Sequence, residues 1–258
     1  MSDNDQAPDA GRVGFRDWHQ SGWLNDDTGE LIEDVRVTSG MQVVDVGCGD
    51  GAYISFCSRM GADVTFIDVQ EEKVRSVERS LESSAGGRTR GIVSECDPIP
   101  LADGHADLVI STEVLEHVPD PERFLREIVR VGNTDATYLI TVPDARGEHL
   151  IKDVANPVYF QAPNHIHIFT SEDFEKLLQD CGLKVVRHDY YGGFWAFFYL
   201  LKWATAEPGE ALNSNVQPAT QLWTRTWNEV LSHPNGHKIR QALNQAIPKC
   251  QVVVARRA

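Results

Sequence analysis

The sequence predicts an α/β fold in which the strands of an open, mostly parallel sheet alternate with helices. Three features predict it. Short apolar runs rich in β-branched residues recur along the chain, as at 43–46 and 64–67. Turn residues follow these runs, and apolar residues then recur at helical spacing. Because strands that alternate with helices usually pair in parallel, we expect helices on both faces of the sheet.

Size and charge favour one domain without a nucleic-acid partner. A chain of 258 residues can form a single α/β domain with a sizeable core. We expect this domain at 15–258 and a disordered tail at 1–14, where polar and acidic residues predominate. The chain has 38 acidic and 24 basic residues, a net charge of −14. Such a charge repels polyanions, so a nucleic-acid substrate is not expected.

Cysteine usage and hydropathy favour a cytoplasmic protein. The 5 cysteines are scattered, odd in number and contain no Cys-x-x-Cys pair, so neither a disulfide framework nor a zinc motif is indicated. No apolar targeting segment follows the first residues. The longest apolar run, 194–201, is far shorter than the roughly 20 residues that a bilayer-crossing helix needs. We therefore expect no transmembrane segment.

The first element of the predicted domain is an N-terminal cap at 15–37. Its apolar residues predict one or two short helices ahead of the first strand. Trp18 and Trp23 are large enough to line a ligand crevice above the sheet. Packing of these helices onto the sheet explains the same residues equally well, and both interpretations stay open.

The first strand, 43–46, runs into three glycines at alternate positions, 47, 49 and 51. Glycine is needed where the backbone turns sharply and where a ligand approaches the main chain closely. The turn also fits the loose dinucleotide pattern, which would imply a pyrophosphate ligand. However, Asp45 and Asp50 lie in the strand and in the loop. Two carboxylates repel a diphosphate and suit a ligand with positive charge.

Three motifs in this order carry a family resemblance: 44–51, 99–109 and 113–120. Together they resemble the class I S-adenosylmethionine (SAM)-dependent methyltransferases, especially the branch that acts on small molecules and lipid head groups. SAM carries a sulfonium and an ammonium group, in agreement with the acidic turn. The resemblance implies a Rossmann-like, seven-stranded mixed sheet with an antiparallel last strand and helices on both faces.

The predicted cofactor residues lie where successive strands end. Asp68 ends the second strand, where an acidic side chain can accept hydrogen bonds from both ribose hydroxyls. The resemblance places Glu95 beside the adenine, with Asp97 as the alternative. The full predicted set is Asp45, Gly47, Cys48, Gly49, Asp68, Val69, Glu95, Cys96, Thr112 and Glu113.

Three histidines are candidate catalytic residues. His117 follows the fourth strand, at the rim where ligands bind in open α/β sheets, and acts either as a base or by orienting its loop. His165 and His167 lie in the long segment 143–169, which we expect to be irregular and to line the acceptor site. If extended, the chain places both imidazoles on one face, as a base and its neighbour, a metal pair or a structural pair. No cysteine or carboxylate stands at a supporting spacing, so we predict no metal site.

The last two strands are predicted at 183–188 and 251–255, and the resemblance implies that they pair antiparallel. An insertion at about 190–249 separates them. Its aromatic-rich start, 190–203, predicts a helix from Phe194 that is apolar on every side and must therefore be buried. The domain itself, a second subunit, a greasy substrate or a membrane surface can each bury it. Two further helices are predicted at about 220–231 and 238–246.

The sequence therefore predicts a SAM-dependent methyltransferase that acts on a small-molecule or lipid-linked acceptor at oxygen, nitrogen or carbon. An NAD(P)-dependent oxidoreductase is the first alternative, although Asp45 and Asp50 oppose it. A catalytically silent SAM-binding subunit that supports a partner is the second. Monomer and homodimer are both compatible with the sequence.

Overall fold

The computed structural model describes residues 8–82, 86–206 and 217–258. The strands in chain order are β1 Glu30–Ile32, β2 Val35–Arg36, β3 Gln42–Val46, β4 Asp63–Asp68, β5 Thr89–Val93, β6 Ala106–Thr112, β7 Gly132–Pro143, β8 Leu183–Tyr191 and β9 Cys250–Arg257. The helices are α1 Ala10–Gln20, α2 Ala52–Arg59, α3 Glu71–Leu81, α4 Pro121–Val131, α5 Ala145–Lys152, α6 Ser171–Asp180, α7 Gly193–Ala204, α8 Pro218–Ser232 and α9 Gly236–Ala246. A short 3-10 helix covers Pro157–Phe160.

The main sheet has seven strands in the order β5-β4-β3-β6-β7-β9-β8. The pairs from β5 to β7 are all parallel. Strand β9 runs antiparallel to both of its neighbours, β7 and β8. The predicted Rossmann-like mixed sheet with an antiparallel last strand is therefore confirmed. Since strand order reverses between β3 and β6, a crevice opens at their carboxyl ends.

Both faces of the sheet are covered, which explains why its central strands are apolar throughout. Successive residues of β3 point to opposite faces: Val44 and Val46 belong to one core cluster and Val43 to another. Helices α4 and α6 contribute to the first cluster, and α2, α3 and the N-terminal hairpin to the second. The two cores hold β3 rigidly, and with it the glycine turn that follows.

The N-terminal cap differs from the prediction. Helix α1 begins at Ala10, because the Asp9 side chain caps it by accepting a hydrogen bond of 2.9 Å from the Arg12 backbone. Residues 10–14 are therefore helical, although the sequence assigned them to a disordered tail; residues 1–7 lie outside the described part of the chain. After α1 the cap forms the hairpin β1–β2 rather than a second helix, with Asp34 at a φ of 68° in the turn.

The segment 143–169 was expected to be irregular, but it begins with helix α5. Asp144 caps this helix by accepting a hydrogen bond of 2.8 Å from the Arg146 backbone. Asn156 caps the 3-10 helix in the same way, at 3.1 Å from the Val158 nitrogen. Short polar caps therefore impose helical turns on a segment whose apolar pattern did not predict them.

The insertion between β8 and β9 contains the three predicted helices, α7, α8 and α9. Helix α7 contacts α1, α5, α8 and α9. Phe194 and Phe198 are buried in a separate core cluster with Val13, Trp227 and Leu231. The domain itself therefore buries one side of the aromatic helix. No helix among the described residues is long and apolar enough to cross a membrane.

Candidate functional site

The glycine turn after β3 forms the floor of the crevice. Gly47, Gly49 and Gly51 have φ angles of 83°, 51° and 79°, in the left-handed region that favours glycine. A Cβ atom on Gly47 would lie 2.3 Å from Val114 Cγ2, whereas one on Gly49 would meet nothing within 4 Å. Gly47 therefore permits close packing of the turn against the loop after β6. Gly49 leaves the backbone open to a ligand.

Asp68, at the end of β4, lies against this turn. Its Oδ2 accepts a hydrogen bond from the Gly49 backbone at 3.3 Å, and its Oδ1 accepts one from the Gln70 backbone at 2.9 Å. The Cys48 thiol, a weak donor, also lies 3.9 Å from Oδ2, whereas Oδ1 keeps a second lone pair that can accept a bond from a hydroxyl group. The next residue, Val69, is 61% exposed and offers an apolar surface beside it.

Asp45, in β3 just before the turn, has an unusual environment. Its side chain is 1% exposed, and neither carboxylate oxygen has a hydrogen-bond partner among the described residues. Burial, and then the charge of Asp68, raise the pKa of Asp45 to about 7. A buried carboxyl group without a partner is unfavourable. The negative charge available beside this turn therefore favours the binding of a cation.

The predicted adenine side of the crevice follows β5. The Ser94 backbone donates to the Asp68 carbonyl oxygen at 3.1 Å, which places this segment beside β4. Cys96 is buried, and burial followed by the nearby Asp68 raises its pKa to about 12. Glu95 is exposed, whereas its alternative, Asp97, forms an ion pair of 2.8 Å with Arg123. Asp97 is thus already engaged, while Glu95 remains available to a ligand.

Glu113 is held at the opposite rim by contacts with Thr141 and Lys249. Its backbone nitrogen donates to the Thr141 carbonyl oxygen at 3.1 Å, and its Oε1 accepts from the Thr141 hydroxyl at 3.1 Å. Its Oε2 pairs with Lys249 Nζ at 3.0 Å. These contacts maintain a φ of 56°, which is uncommon for a residue other than glycine. Thr112, directly before it, is half-buried at the end of β6.

The structure brings His117 and His165 together. Their rings are edge to face with centroids 5.1 Å apart. His165 Nδ1 lies 2.9 Å from Glu148 Oε2, and the Tyr159 hydroxyl donates to the other oxygen of Glu148 at 3.3 Å. Burial raises the pKa of Glu148, but the bond from His165 and the charge of Lys249 outweigh this and lower the pKa. His165 is therefore oriented by an ionised carboxylate.

His167 has different partners. Its Nε2 lies 3.0 Å from the Val118 carbonyl oxygen, and its backbone nitrogen donates to the Glu116 carbonyl oxygen at 3.3 Å. Segment 164–168 is not part of a strand. The side-chain alternation of an extended chain therefore does not explain the positions of His165 and His167, and the two imidazoles do not act as the expected pair. His167 instead connects its own segment to the loop after β6.

Three further site residues were missed by the sequence reasoning: Glu116, Glu148 and Lys249. Glu116 lies beside His117, is fully buried, and has no hydrogen-bond partner for either carboxylate oxygen among the described residues. Its spacing of three residues from Glu113 was the available signal. We predicted no metal site because no cysteine or carboxylate stood at a supporting spacing from His165 and His167. The fold places two carboxylates beside His165, from other segments.

Comparisons with known proteins agree with this geometry. A family model described as a methyltransferase domain matches residues 26–188. A ubiquinone biosynthesis O-methyltransferase of Xanthomonas oryzae pv. oryzae is 33% identical over 145 residues, which cover 48% of this chain and 60% of the relative. The chain thus spans less than two thirds of that relative's length.

Solved structures share the fold. A SAM-dependent methyltransferase from Aquifex aeolicus has a TM-score of 0.52 at 22% identity and covers 70% of this chain and 92% of its own. An S-adenosylmethionine-dependent methyltransferase from Mesorhizobium loti has a TM-score of 0.57 at 15% identity, over 85% and 92% of the two chains. Since the family model matches more than half of the sequence, the chain belongs to the methyltransferase domain family.

Proposed function

We propose that this protein is a SAM-dependent methyltransferase that methylates a hydroxyl oxygen of a small or lipid-linked acceptor. The observation that carries the proposal is the buried Asp45 carboxylate, which has no partner among the described residues and lies at the glycine turn. A cationic cofactor supplies the partner that this group lacks. The relative named as an O-methyltransferase supports oxygen as the acceptor atom.

The residues around the crevice suit the parts of SAM. Asp45 and Glu113 are the carboxylates for its ammonium end, and the Gly49 backbone permits close approach of its chain. Asp68 is suited to the ribose because its Oδ1 keeps a free lone pair for a hydroxyl donor, and Oδ2 has only the weak Cys48 thiol as its second donor. Val69, Glu95 and Cys96 are in the segments that we expect to border the adenine. Gly47, Cys48 and Thr112 shape the walls between these groups.

Methyl transfer from SAM is an in-line displacement. When bound, SAM would supply the methyl group: its sulfur–methyl bond would break as the bond between the acceptor oxygen and the methyl carbon forms, and the demethylated cofactor would be a neutral thioether. The main task of the enzyme is to align the two reactants and exclude water. A hydroxyl acceptor must also lose its proton, and we propose that the cluster around His117 and His165 promotes this loss.

Binding and turnover can be separated experimentally. Calorimetry of the purified protein with SAM and with NADH should show binding of SAM alone. An assay with radiolabelled SAM and a panel of phenolic, catecholic and lipid-linked acceptors should then show transfer to oxygen. NADH binding without SAM binding would indicate the oxidoreductase alternative. SAM binding without transfer to any acceptor of the panel would indicate the silent subunit.

The same proposal extends to the surface that α7 contacts, the oligomeric state and the cellular compartment. The lipid-linked acceptor is supported by α7, whose Phe197, Tyr199 and Leu200 remain only half-buried. The same residues suit a membrane surface or a second copy of the chain, so monomer and homodimer both stay open. All five cysteines are free, which supports the cytoplasm as the expected compartment.

A further inference from the structure

Glu116, which is buried, and the half-buried His117 and His165 form a cluster whose side-chain chemistry is that of a metal site. One potential ligand atom from each residue lies within 4.8 Å of those of the other two. We propose that these three residues bind a divalent transition-metal ion at the rim of the crevice. The binding site itself does not depend on methyl transfer, but the catalytic role given to the ion below rests on the proposed function.

The first argument is the unsatisfied carboxylate. Glu116 is 0% exposed, and its two oxygens lack hydrogen-bond partners among the described residues. A buried carboxyl group without a partner is unfavourable, and a bound cation would supply one. The nearest candidate partner is His117 Nε2, at 3.7 Å from Glu116 Oε1. That distance exceeds a hydrogen bond, so a direct acid–base pair does not explain the arrangement.

The second argument is the orientation of the imidazoles. His165 Nδ1 faces the Glu148 carboxylate at 2.9 Å, and His117 Nδ1 faces the Pro163 carbonyl oxygen at 3.0 Å. Both partners can only accept, so each Nδ1 carries the hydrogen. A neutral imidazole with its hydrogen on Nδ1 has its lone pair on Nε2. Metal-binding histidines are held in this way, by a carboxylate or carbonyl behind the ring.

The ligand set selects the class of metal. Two imidazoles and one carboxylate suit Zn²⁺ and other first-row transition metals, whereas Mg²⁺ and Ca²⁺ prefer oxygen ligands alone. Ligand bonds to Zn²⁺ are about 2.0–2.2 Å long, so the three ligand atoms need only a small convergence from their present spacing. Three protein ligands leave at least one coordination position open, as in catalytic rather than structural zinc sites.

An open coordination position on the ion would allow the site to bind the acceptor in the proposed reaction. An acceptor hydroxyl bound there would lose its proton more readily, since a metal ion lowers the pKa of a coordinated hydroxyl group. In this arrangement the imidazoles are ligands, and the released proton passes to bulk water. The resulting oxygen anion is the nucleophile that accepts the methyl group, and the metal changes neither its charge nor its oxidation state.

Metal binding can be measured without an activity assay. The full-length protein, freed of metal with a chelator, is titrated with ZnCl₂ by calorimetry, and bound zinc is counted by elemental analysis after gel filtration. We expect one zinc per chain. Glu116→Gln and His165→Ala should each weaken binding at least tenfold. The matched control is His149→Ala, which removes an exposed histidine of α5 outside the cluster and should bind as wild type does.

A second measurement uses the wild-type protein alone and therefore remains informative if the variants misfold. Wild-type protein loaded with Co²⁺ should show visible d–d absorption bands of a nitrogen- and oxygen-bound ion, and added Zn²⁺ should abolish them. Absence of zinc from the wild type, or equal zinc affinity in wild type and folded Glu116→Gln, overturns the proposal. SAM affinity is measured on the same samples. A protein that binds SAM but no zinc would retain the proposed function and lose the metal site.

Discussion

Individual carboxylates determine the character of the crevice. Asp68 and Asp45 are both acidic residues near one glycine turn, yet their environments differ. Asp68 accepts backbone hydrogen bonds through both of its oxygens. Asp45 has no such bonds among the described residues, and burial raises its pKa to about 7. Asp68 is thus a preorganised acceptor of hydrogen bonds, whereas Asp45 is suited to pair with a positively charged ligand. Two substitutions test these roles.

Replacing Asp68 should weaken cofactor binding. Asp68→Ala removes the proposed acceptor for the ribose and the bond of 3.3 Å that fixes the Gly49 nitrogen. We expect SAM affinity to fall at least tenfold, which corresponds to about 1.4 kcal/mol. Calorimetry with SAM measures it. Asp63→Ala, at the opposite end of β4, is the control and should bind SAM as wild type does. Unchanged affinity in Asp68→Ala would remove the ribose assignment.

Asp45 should make the ligand-free protein less stable as the pH rises. Its pKa is about 7 in the folded state and 3.8 as a model value, so between these values the folded state binds more protons than the unfolded state. The free energy of unfolding therefore falls as pH rises through this range. The loss should reach a few kcal/mol, since one pKa unit is worth about 1.4 kcal/mol.

Asp45→Asn isolates this effect, because asparagine does not titrate. Urea unfolding of both proteins at several values between about pH 4 and pH 8 should show a shallower decline for the variant. Asp17, whose pKa burial raises to about 6, contributes equally to both proteins and cancels in the comparison. Parallel pH profiles for wild type and Asp45→Asn would contradict the assignment of a buried, unpaired carboxyl group.

At the scale of elements, the added helices stabilise the domain through aromatic contacts. Phe194 of α7 is 0% exposed, and its ring stacks with Trp223 and Trp227 of α8 at centroid distances of 6.1 and 6.2 Å. The Trp223 indole also donates to the Phe194 carbonyl oxygen at 3.0 Å. Helix α7 is therefore attached to the domain by its most buried side, and its half-buried residues remain available to another surface.

Phe194→Ala should consequently destabilise the fold by about 3–5 kcal/mol, the usual range for truncating a buried phenylalanine. Urea unfolding followed by tryptophan fluorescence and circular dichroism measures it. Leu222→Ala on α8 is the matched control. Its side chain is 67% exposed, so we expect a change within about 0.5 kcal/mol. Equal effects of the two substitutions would argue against intramolecular burial of α7.

Helices and strands could be predicted from the sequence where a local pattern of apolar and turn residues determines them. The strands β3, β4, β6 and β9 are short apolar runs between turn residues, and both of their faces are buried. The N-terminal hairpin was not predicted, because 15–37 has apolar residues compatible with either helix or hairpin. Its outcome depends on packing against the sheet through Trp23, Leu31 and Ile32. Tertiary contacts of this kind leave no local signal in the sequence.

At the scale of the whole molecule, the site is assembled from distant parts of the chain. That the proposed cofactor residues lie at one edge of the sheet could be predicted, because they stand at or near the carboxyl ends of strands and parallel strands end at one edge. Glu148 and Lys249 could not be predicted in the same way. They reach the site through α5 and the last connection before β9, so their positions depend on the complete fold. Glu113 and Lys249 are 136 positions apart in sequence.

This ion pair predicts a measurable coupling between the middle and the end of the chain. Glu113 Oε2 and Lys249 Nζ are 3.0 Å apart, with side chains 35% and 21% exposed. Removing one partner leaves the other charge partly buried and unpaired, which is more unfavourable than removing both. A double-mutant cycle of Glu113→Gln and Lys249→Met should therefore give a coupling energy of about 1–3 kcal/mol in urea unfolding.

The matched control is the exposed pair of Lys176 and Asp180 on α6, with side chains 72% and 53% exposed. Its cycle should give less than about 0.5 kcal/mol, because exposed pairs one helical turn apart contribute little. Additive effects at Glu113 and Lys249 would show that the last connection does not hold the crevice rim. A large coupling would instead show that Lys249, directly before β9, helps to hold Glu113 at the end of β6.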